Sequence, residues 1–319
     1  MDIKLIHDLS PQQLKAGFWK TIDGFFFATY WYLQKPKAYD FVLDVARKGG
    51  LKKAFGINEN ILYIHGSDRI VETENKSEDR VFLRPPLISL REAICFNPDV
   101  IQVMDLPLSA GDNEDRICEK LAINRDIVLD YDKWLVENKF RSSNRYKDGL
   151  PKFSAFMLLG VCHGDTAETY AEEASFMKRY CEVIGIPMAG LLVQKRGVSV
   201  KTRYDYALHV LNKVLEVVGS TRVVQLMGFG LSDITEAPRF LKLAKKYDAT
   251  LWFESSTIIR NSTHARKILS LNVKNPSRLE YVNISRVKGA EKFSTLDVFR
   301  ENNKILKNIL NQTSLELNG

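Results

Sequence analysis

Two carboxylates and one imidazole stand at the ends of short apolar runs in this sequence. Asp105 ends the run VIQVMD, His163 follows FSAFMLLGV, and Glu254 closes ATLWFE. Functional side chains of parallel α/β proteins lie at the C-terminal ends of strands, so these three residues are expected on one rim. Two carboxylates in one pocket are the usual equipment for breaking a glycosidic bond, with one of them as nucleophile.

A single acidic residue at a strand end has a commoner role, which is to cap the next helix. The combination is therefore what points to chemistry, and other residues at the same strand ends belong to it. The further candidates are small, apolar or basic: Gly164, Ala189, Gly190, Leu191, Lys195, Arg196, Met227 and Gly228. Glycines let a flat ligand approach the backbone closely, and basic side chains can hold phosphates. The basic group is equally typical of a solvated face.

The elements that must position these residues alternate along the chain. Seven short apolar runs have the composition of strands buried on both faces. They cover residues 61–66, 100–105, 153–161, 186–193, 222–230, 249–255 and 281–285. Helical patterns fill the intervals, with the clearest at residues 165–185, 199–219 and 232–248.

This alternation predicts an α/β fold, a (β/α)₈ TIM barrel with an N-terminal extension and a C-terminal helix. A doubly wound open sheet is the alternative. One further strand is expected within GFFFATYWYL, whose aromatic residues are interpreted as core. We expect a single domain, with residues 1–60 as extension and first barrel elements, 61–290 as the barrel and 291–319 as the helix.

Composition restricts the classes of protein and site. The 319 residues carry a formal charge of +7, which permits a nucleic-acid partner without requiring one. No apolar stretch is long enough to span a membrane and no signal sequence is recognisable, so a cytoplasmic protein without a membrane partner is expected. The four cysteines form no CxxC pair, so no metal site and no cofactor are expected, and the thiols are interpreted as buried.

Five segments, in order, resemble the tRNA-guanine transglycosylases. RVFLRPPLISLREAICFNPDVIQVMD resembles the segment leading to their base-recognition Asp, where Asp105 stands, and LLGVCHGD places His163 where a base-contacting Gln is usual. MAGLL is similar to VGGL, whose backbone touches the base, and VVQLMGFG is similar to YLMGVG. LWFESSTIIR resembles DMFDCVLPTR, with Glu254 at the nucleophile and Arg260 at the family's Arg.

The resemblance, over residues 80–266, implies an enzyme that exchanges a nucleic-acid base. Guanine leaves C1′, a carboxylate at the position of Glu254 holds the sugar covalently, and a 7-deazaguanine base such as preQ0 takes guanine's place. Asp105 would read the guanine edge, His163, Gly190 and Leu191 would contact the base, and the target nucleotide would be flipped from its stack.

Four departures separate this sequence from the family pattern, and two of them, the missing zinc cluster and the missing RNA-binding domains, favour DNA over tRNA as the substrate. Glu replaces the nucleophilic Asp, no cysteine follows Cys181 to form the family's zinc cluster, and the DSGGFQ segment with a further catalytic Asp has no clean match. The chain also has no room for the extra RNA-binding domains of archaeal members. It is closest in character to the zinc-less DNA 7-deazaguanine transglycosylases. Candidates near the DSGGFQ position are His65, Ser67 and Asp68.

Other functions stay open at this point. The altered nucleophile also fits a catalytically silent barrel that binds nucleic acid or pairs with an active subunit or a second copy. A barrel enzyme acting on a small anionic metabolite, held by Lys195 and Arg196, is the third hypothesis.

Overall fold

A closed barrel of parallel strands forms the centre of the protein. The computed structural model describes residues 3–28, 38–66, 70–71, 81–82, 85–109, 111–188, 191, 200–229, 231–255, 262–263, 266–271, 279–287, 289–290 and 292–318. Within these residues the barrel strands are β1 (Ile3–Asp8), β2 (Gly24–Ala28), β3 (Leu62–Gly66), β4 (Val100–Gln102), β5 (Met157–Val161), β6 (Val183–Pro187), β7 (Val223–Met227) and β8 (Thr250–Glu254). Each strand pairs in parallel with its neighbours in the chain, and β1 pairs with β8 to close the barrel.

The predicted (β/α)₈ barrel is therefore confirmed, but its first and last strands differ from the prediction. The strand expected within residues 24–33 is β2, whereas β1 had no counterpart among the predicted runs. The run at 281–285 is not a barrel strand, because Leu279–Asn283 pairs antiparallel with Lys267–Leu271 in a separate two-stranded sheet. A second small sheet joins Ile70–Val71 to Val81–Phe82.

Helices follow the strands around the barrel. The described helices are α1 (Pro11–Lys15), α2 (Ala38–Arg47), α3 (Leu51–Phe55), α4 (Pro86–Cys95), α5 (Glu114–Glu137), α6 (Ala167–Met177), α7 (Val200–Val218), α8 (Leu231–Lys246) and α9 (Thr295–Asn318). The predicted helix at 165–185 was too long: α6 starts at the cap Thr166 and ends at Met177, and the residues from Val183 form β6. The helix predicted at 199–219 is α7, and α9 is the predicted C-terminal helix.

Alternate residues of each strand face opposite sides of the barrel wall. One buried cluster contains Ile6, Ile64, Leu159 and Trp252, and it fills the interior. Strand residues that face outward, such as Phe25 and Phe27 on β2, belong to the larger cluster that packs under the helices. The interpretation of this aromatic segment as core is confirmed for these two rings, which are fully buried.

At the N-terminal end of the barrel, a carboxylate immediately precedes each of the strands β2, β4 and β6. Asp23 accepts a hydrogen bond from the amide of Leu5 at 3.2 Å, Asp99 from Tyr63 at 2.7 Å and Glu182 from Leu158 at 2.8 Å. Each carboxylate thus accepts from the second or third amide of the strand that precedes its own. An otherwise unpaired strand N–H is satisfied in this way, and the register of the two strands is fixed.

Each of these three strand-start carboxylates also has a cationic partner. Lys307 lies 2.6 Å from Asp23, Lys52 lies 2.7 Å from Asp99, and Arg141 lies 2.7 Å from Glu182. Arg141 is buried and also contacts Asp132 at 3.2 Å and the carbonyl of Tyr180 at 2.8 Å. Such a buried network depends on every member being satisfied.

The C-terminal helix α9 is fastened to the first strand by side-chain hydrogen bonds. The ring of His7 shares a hydrogen bond of 2.9 Å with Asn303, whose amide also donates to the carbonyl of Thr21. Burial is the main cause that lowers the pKa of His7 to about 4, so the ring is neutral at pH 7. Among the described residues, no helix has the length and apolarity needed to cross a membrane.

We expect Arg141→Met to destabilise the fold by about 3–5 kcal/mol, because it leaves the Glu182 carboxylate without its charge partner and Asp132 with Arg145 alone. Urea denaturation measures the change. Lys48→Met is the control, since it breaks an exposed pair with Asp44 and should cost less than about 1 kcal/mol. Equal losses in the two variants would contradict the structural role of the strand-start network.

Candidate functional site at the C-terminal end of the barrel

Two pairs of polar side chains lie at the C-terminal end of the barrel. The acid pair consists of Asp8, the last residue of β1, and Glu254, the last residue of β8. The acid–imidazole pair consists of Asp105, which follows β4, and His163, which follows β5. In the closed strand order β8 and β4 stand on opposite sides of the barrel, so the two pairs face each other across its mouth.

Glu254 points towards the barrel interior. It is two residues beyond Trp252 of the interior cluster, and side chains along a strand alternate between faces. The side-chain amide of Gln225, on β7, donates to Oε2 of Glu254 at 3.0 Å. The pKa of Glu254 is raised to about 7. Burial is the main cause, the negative charge of Asp8 adds to the rise, and the hydrogen bond from Gln225 opposes it.

Asp8 is the functional candidate that the sequence did not reveal. Ile6 is the register partner of Glu254, and Asp8 lies two residues further along β1 on the same face. The segment IKLIHD mixes apolar and polar residues and is not a continuous apolar run, so neither the strand nor its terminal acid is recognisable from the sequence. One sequence feature could have indicated Asp8: β1 ends in an acidic residue, as β8 does.

Asp105 and His163 form one hydrogen-bonded unit. The Nε2 atom of His163 lies 2.7 Å from Oδ2 of Asp105, and the side-chain amide of Gln102 donates to Oδ1 at 3.1 Å. His163 is almost fully buried, whereas Asp105 keeps part of its side chain accessible. The two neighbours fix the plane of the carboxylate and leave it further lone pairs for a ligand.

Apolar side chains also reach the mouth of the barrel. Phe26 and Met227 are half-buried and pack on the interior cluster from their positions near the strand ends. Gly66 makes room for the Phe26 ring, because a Cβ at this position would lie 2.2 Å from Phe26 Cζ. The mouth therefore combines a flat aromatic surface with carboxylates on two sides.

Met227 and Gly228, both predicted to bind substrate, close β7 beside Glu254. Gly228 has φ +72°, in the left-handed region that favours glycine. The turn brings the amide of Phe229 to the carbonyl of Glu254 at 2.6 Å. Gly228 thus supports the position of Glu254 through the backbone.

The other predicted ligand contacts divide into two groups. Gly164 faces α6, because a Cβ there would lie 2.8 Å from the amide of Tyr170, and Leu191 is buried in the cluster beneath the helices. The strand expected at 186–193 ends at Pro187. The remaining predicted residues lie outside the described part of the chain, namely Ala189, Gly190, Lys195, Arg196 and Arg260.

His65, a candidate near the missing DSGGFQ segment, faces away from the mouth. Its Nδ1 lies 2.6 Å from the Tyr63 hydroxyl, and its ring packs 4.8 Å from that of Phe96 beneath the helices. Ser67 and Asp68 lie outside the described residues. Asp8 is therefore the carboxylate found beside Glu254 among the residues described.

The cysteines differ from the expectation of four buried thiols. Cys95 and Cys118 are exposed, whereas Cys162 and Cys181 are buried. Burial raises the pKa of Cys162 well above its usual range, so the thiol next to His163 stays protonated and is a poor nucleophile. No group of three or more potential metal ligands occurs among the described residues.

The chain matches no protein-family model, and no curated protein matches it either. The barrel itself is an eight-stranded parallel TIM-like fold, and this fold hosts many unrelated activities. Function must therefore be inferred from the residues at the mouth.

Ionisation of Glu254 should cost stability. The folded pKa of about 7 exceeds the unfolded value of 4.5, so stability is present below pH 4.5 and is lost as pH rises through 7. We expect Glu254→Gln to melt about 3–5 °C above the wild type at pH 8 and to approach it at pH 4.5. Thermal unfolding by circular dichroism measures the difference.

Glu137→Gln is the control for this comparison. Glu137 is exposed near the end of α5, so its substitution should change the melting temperature little at either pH. A Glu254→Gln variant that is no more stable than the wild type at pH 8 would contradict a destabilising carboxylate at the mouth.

Proposed function

We propose that this protein is a base-exchange transglycosylase that replaces guanine in nucleic acid by a 7-deazaguanine derivative through a covalent carboxylate intermediate. The observation that supports this most is the arrangement at the mouth, where the acid pair of Glu254 and Asp8 faces Asp105 and His163. The resemblance of residues 80–266 to the tRNA-guanine transglycosylases supports a 7-deazaguanine such as preQ0 as the incoming base. DNA is the favoured substrate because the zinc ligands of that family are missing.

Glu254 is the nucleophile in this proposal. Gln225 holds Oε2, which leaves Oε1 for bond formation with C1′ of the sugar. As the Oε1–C1′ bond forms, the bond from C1′ to N9 breaks and its electron pair leaves with guanine. The incoming base then attacks C1′ and releases Glu254, so two inversions retain the configuration.

Asp8 supplies the proton chemistry that the missing DSGGFQ segment would provide. Two carboxylates that repel each other electrostatically hold one proton between them more readily than two negative charges. Asp8 can protonate the leaving guanine and take the N–H proton of the incoming base, because both steps occur at the same face of the sugar. Burial is the main cause of the raised pKa of Glu254, and the negative charge of Asp8 adds to it, as expected for neighbouring carboxylates.

Asp105 recognises the base. Its carboxylate can accept hydrogen bonds from the ring N–H and the exocyclic amine of a guanine-like edge together. Gln102 and His163 hold the plane of the carboxylate, so recognition needs little reorganisation. The half-buried ring of Phe26 offers a surface on which a flipped base can stack.

Phosphate contacts are assigned to Lys195, Arg196 and Arg260, which the sequence places after the ends of β6 and β8. Cationic side chains there can hold the backbone on either side of a flipped nucleotide. A homodimer or a partner subunit could add further contacts.

Base exchange with radiolabelled guanine tests the proposal. The purified chain is incubated with double-stranded DNA and, in parallel, with bulk tRNA. We expect label in DNA, and Glu254→Gln should reduce incorporation at least a thousandfold while the variant remains folded. Label in tRNA alone would move the substrate to tRNA. Label in neither substrate would favour a silent barrel or a barrel acting on a metabolite.

The pH dependence of exchange tests whether Glu254 is the nucleophile and Asp8 the proton donor. Glu254 must be ionised while Asp8 still carries a proton, so kcat/KM for exchange should be bell-shaped, rising through about pH 7 as Glu254 ionises and falling at higher pH once Asp8 has lost its proton. Asp8→Asn removes the like charge and should shift the rising limb to lower pH while lowering kcat. A profile that falls through pH 7 in the wild type would instead make Glu254 the proton donor.

A further inference from the structure

A cavity of about 600 Å³ lies at the end of the barrel opposite the candidate site. Its wall comes from loops that precede strands: the 141–154 hairpin before β5, residues Lys178–Tyr180 before β6, and Val217–Arg222 before β7. Loops that precede the strands of a barrel lie at its N-terminal face. This volume is within the range of small-molecule sites.

Positive charge dominates this cavity. Five cationic and two acidic side chains line it within the described residues: Arg145, Lys147, Lys178, Arg179 and Arg222, against Asp148 and Glu216. We call it the basic cavity. A concave surface with this balance concentrates anions.

Two of the cationic side chains stabilise the wall of the cavity. Arg222 is buried and bonds Asp148 at 2.9 Å and the carbonyl of Cys181 at 3.1 Å, and Lys178 donates to the carbonyl of Val217 at 2.7 Å. These bonds hold the loops of the wall together. Their charges still contribute to the potential inside the cavity.

The other three cations keep binding capacity. Lys147 and Arg179 are exposed and form no ion pair with any residue that the structure describes. Arg145 pairs with Asp132, yet its buried Nη1 atom has no hydrogen-bond acceptor among those residues. Because that atom is inaccessible, Arg145 contributes charge to the cavity, and the exposed side chains of Lys147 and Arg179 supply its accessible donors.

The backbone holds the exposed cations near each other. Gly149, at the tip of the hairpin, has φ +93°, and a Cβ there would lie 3.0 Å from Cα of Arg179. The hairpin tip therefore packs directly on the loop that carries Arg179. The site is formed in advance, so a ligand would lose little free energy in ordering it.

We infer that the basic cavity binds the phosphate group of a nucleotide. Lys147 and Arg179 donate to the phosphate oxygens, Arg145 adds its positive charge, and the 600 Å³ space holds the sugar and the base. A free nucleotide and a nucleotide within a single strand present the same phosphate. This site is separate from the proposed catalytic mouth and does not depend on its chemistry.

Calorimetric titration of the full chain with dTMP tests the inference, and thymidine serves as the ligand without phosphate. A fluorescein-labelled single strand of twelve thymidine nucleotides is titrated in parallel by anisotropy. Lys147→Gln with Arg179→Gln should weaken phosphate-dependent binding at least tenfold, and the fold should survive because neither side chain holds the wall.

The control is Lys133→Gln with Lys152→Gln, which removes the same charge from exposed residues that do not line the cavity. It should change affinity less than about twofold. Strand binding at least tenfold tighter than dTMP identifies a strand as ligand, and equal affinity identifies a free nucleotide. The inference is overturned if neither probe binds at millimolar concentration, if thymidine binds as well as dTMP, or if both double variants behave alike.

Discussion

The hydrogen bond from an amide near the start of one strand to the carboxylate before the next strand is the constraint on which this barrel depends. Asp23, Asp99 and Glu182 each join two neighbouring strands in this way, and a cation neutralises each of them. A slip of one residue would turn every side chain of a strand to the other face of the wall. Fixing the register at the N-terminal end therefore decides which side chains reach the mouth at the other end.

The two ends of the barrel differ in how their charges are handled. At the N-terminal end carboxylates are paired with Lys52, Lys307 or Arg141, so their burial supports the fold. At the mouth Glu254 lies beside another acid, and its pKa is raised to about 7. Such an arrangement costs stability, and proteins keep it where a proton has to move near neutral pH.

The basic cavity and the mouth lie at opposite ends of the barrel and are formed by segments that flank some of the same strands. Strands β5, β6 and β7 carry cavity loops at their starts, whereas β5 and β7 lead to His163 and Gly228 at their ends. A rigid barrel between the two sites lets each keep its own electrostatics. Cationic side chains predominate in the basic cavity, whereas neighbouring acids lie at the mouth.

The sequence by itself determined the fold class and three of the functional candidates. Continuous apolar runs alternating with helical patterns require a parallel sheet covered by helices, and strand ends gave Asp105, His163 and Glu254. It could not distinguish the hairpin strand Leu279–Asn283 from a barrel strand, because both are short and β-rich. Only the tertiary structure decided that IKLIHD closes the barrel against β8 and brings Asp8 beside Glu254, since that contact joins residues from opposite ends of the chain.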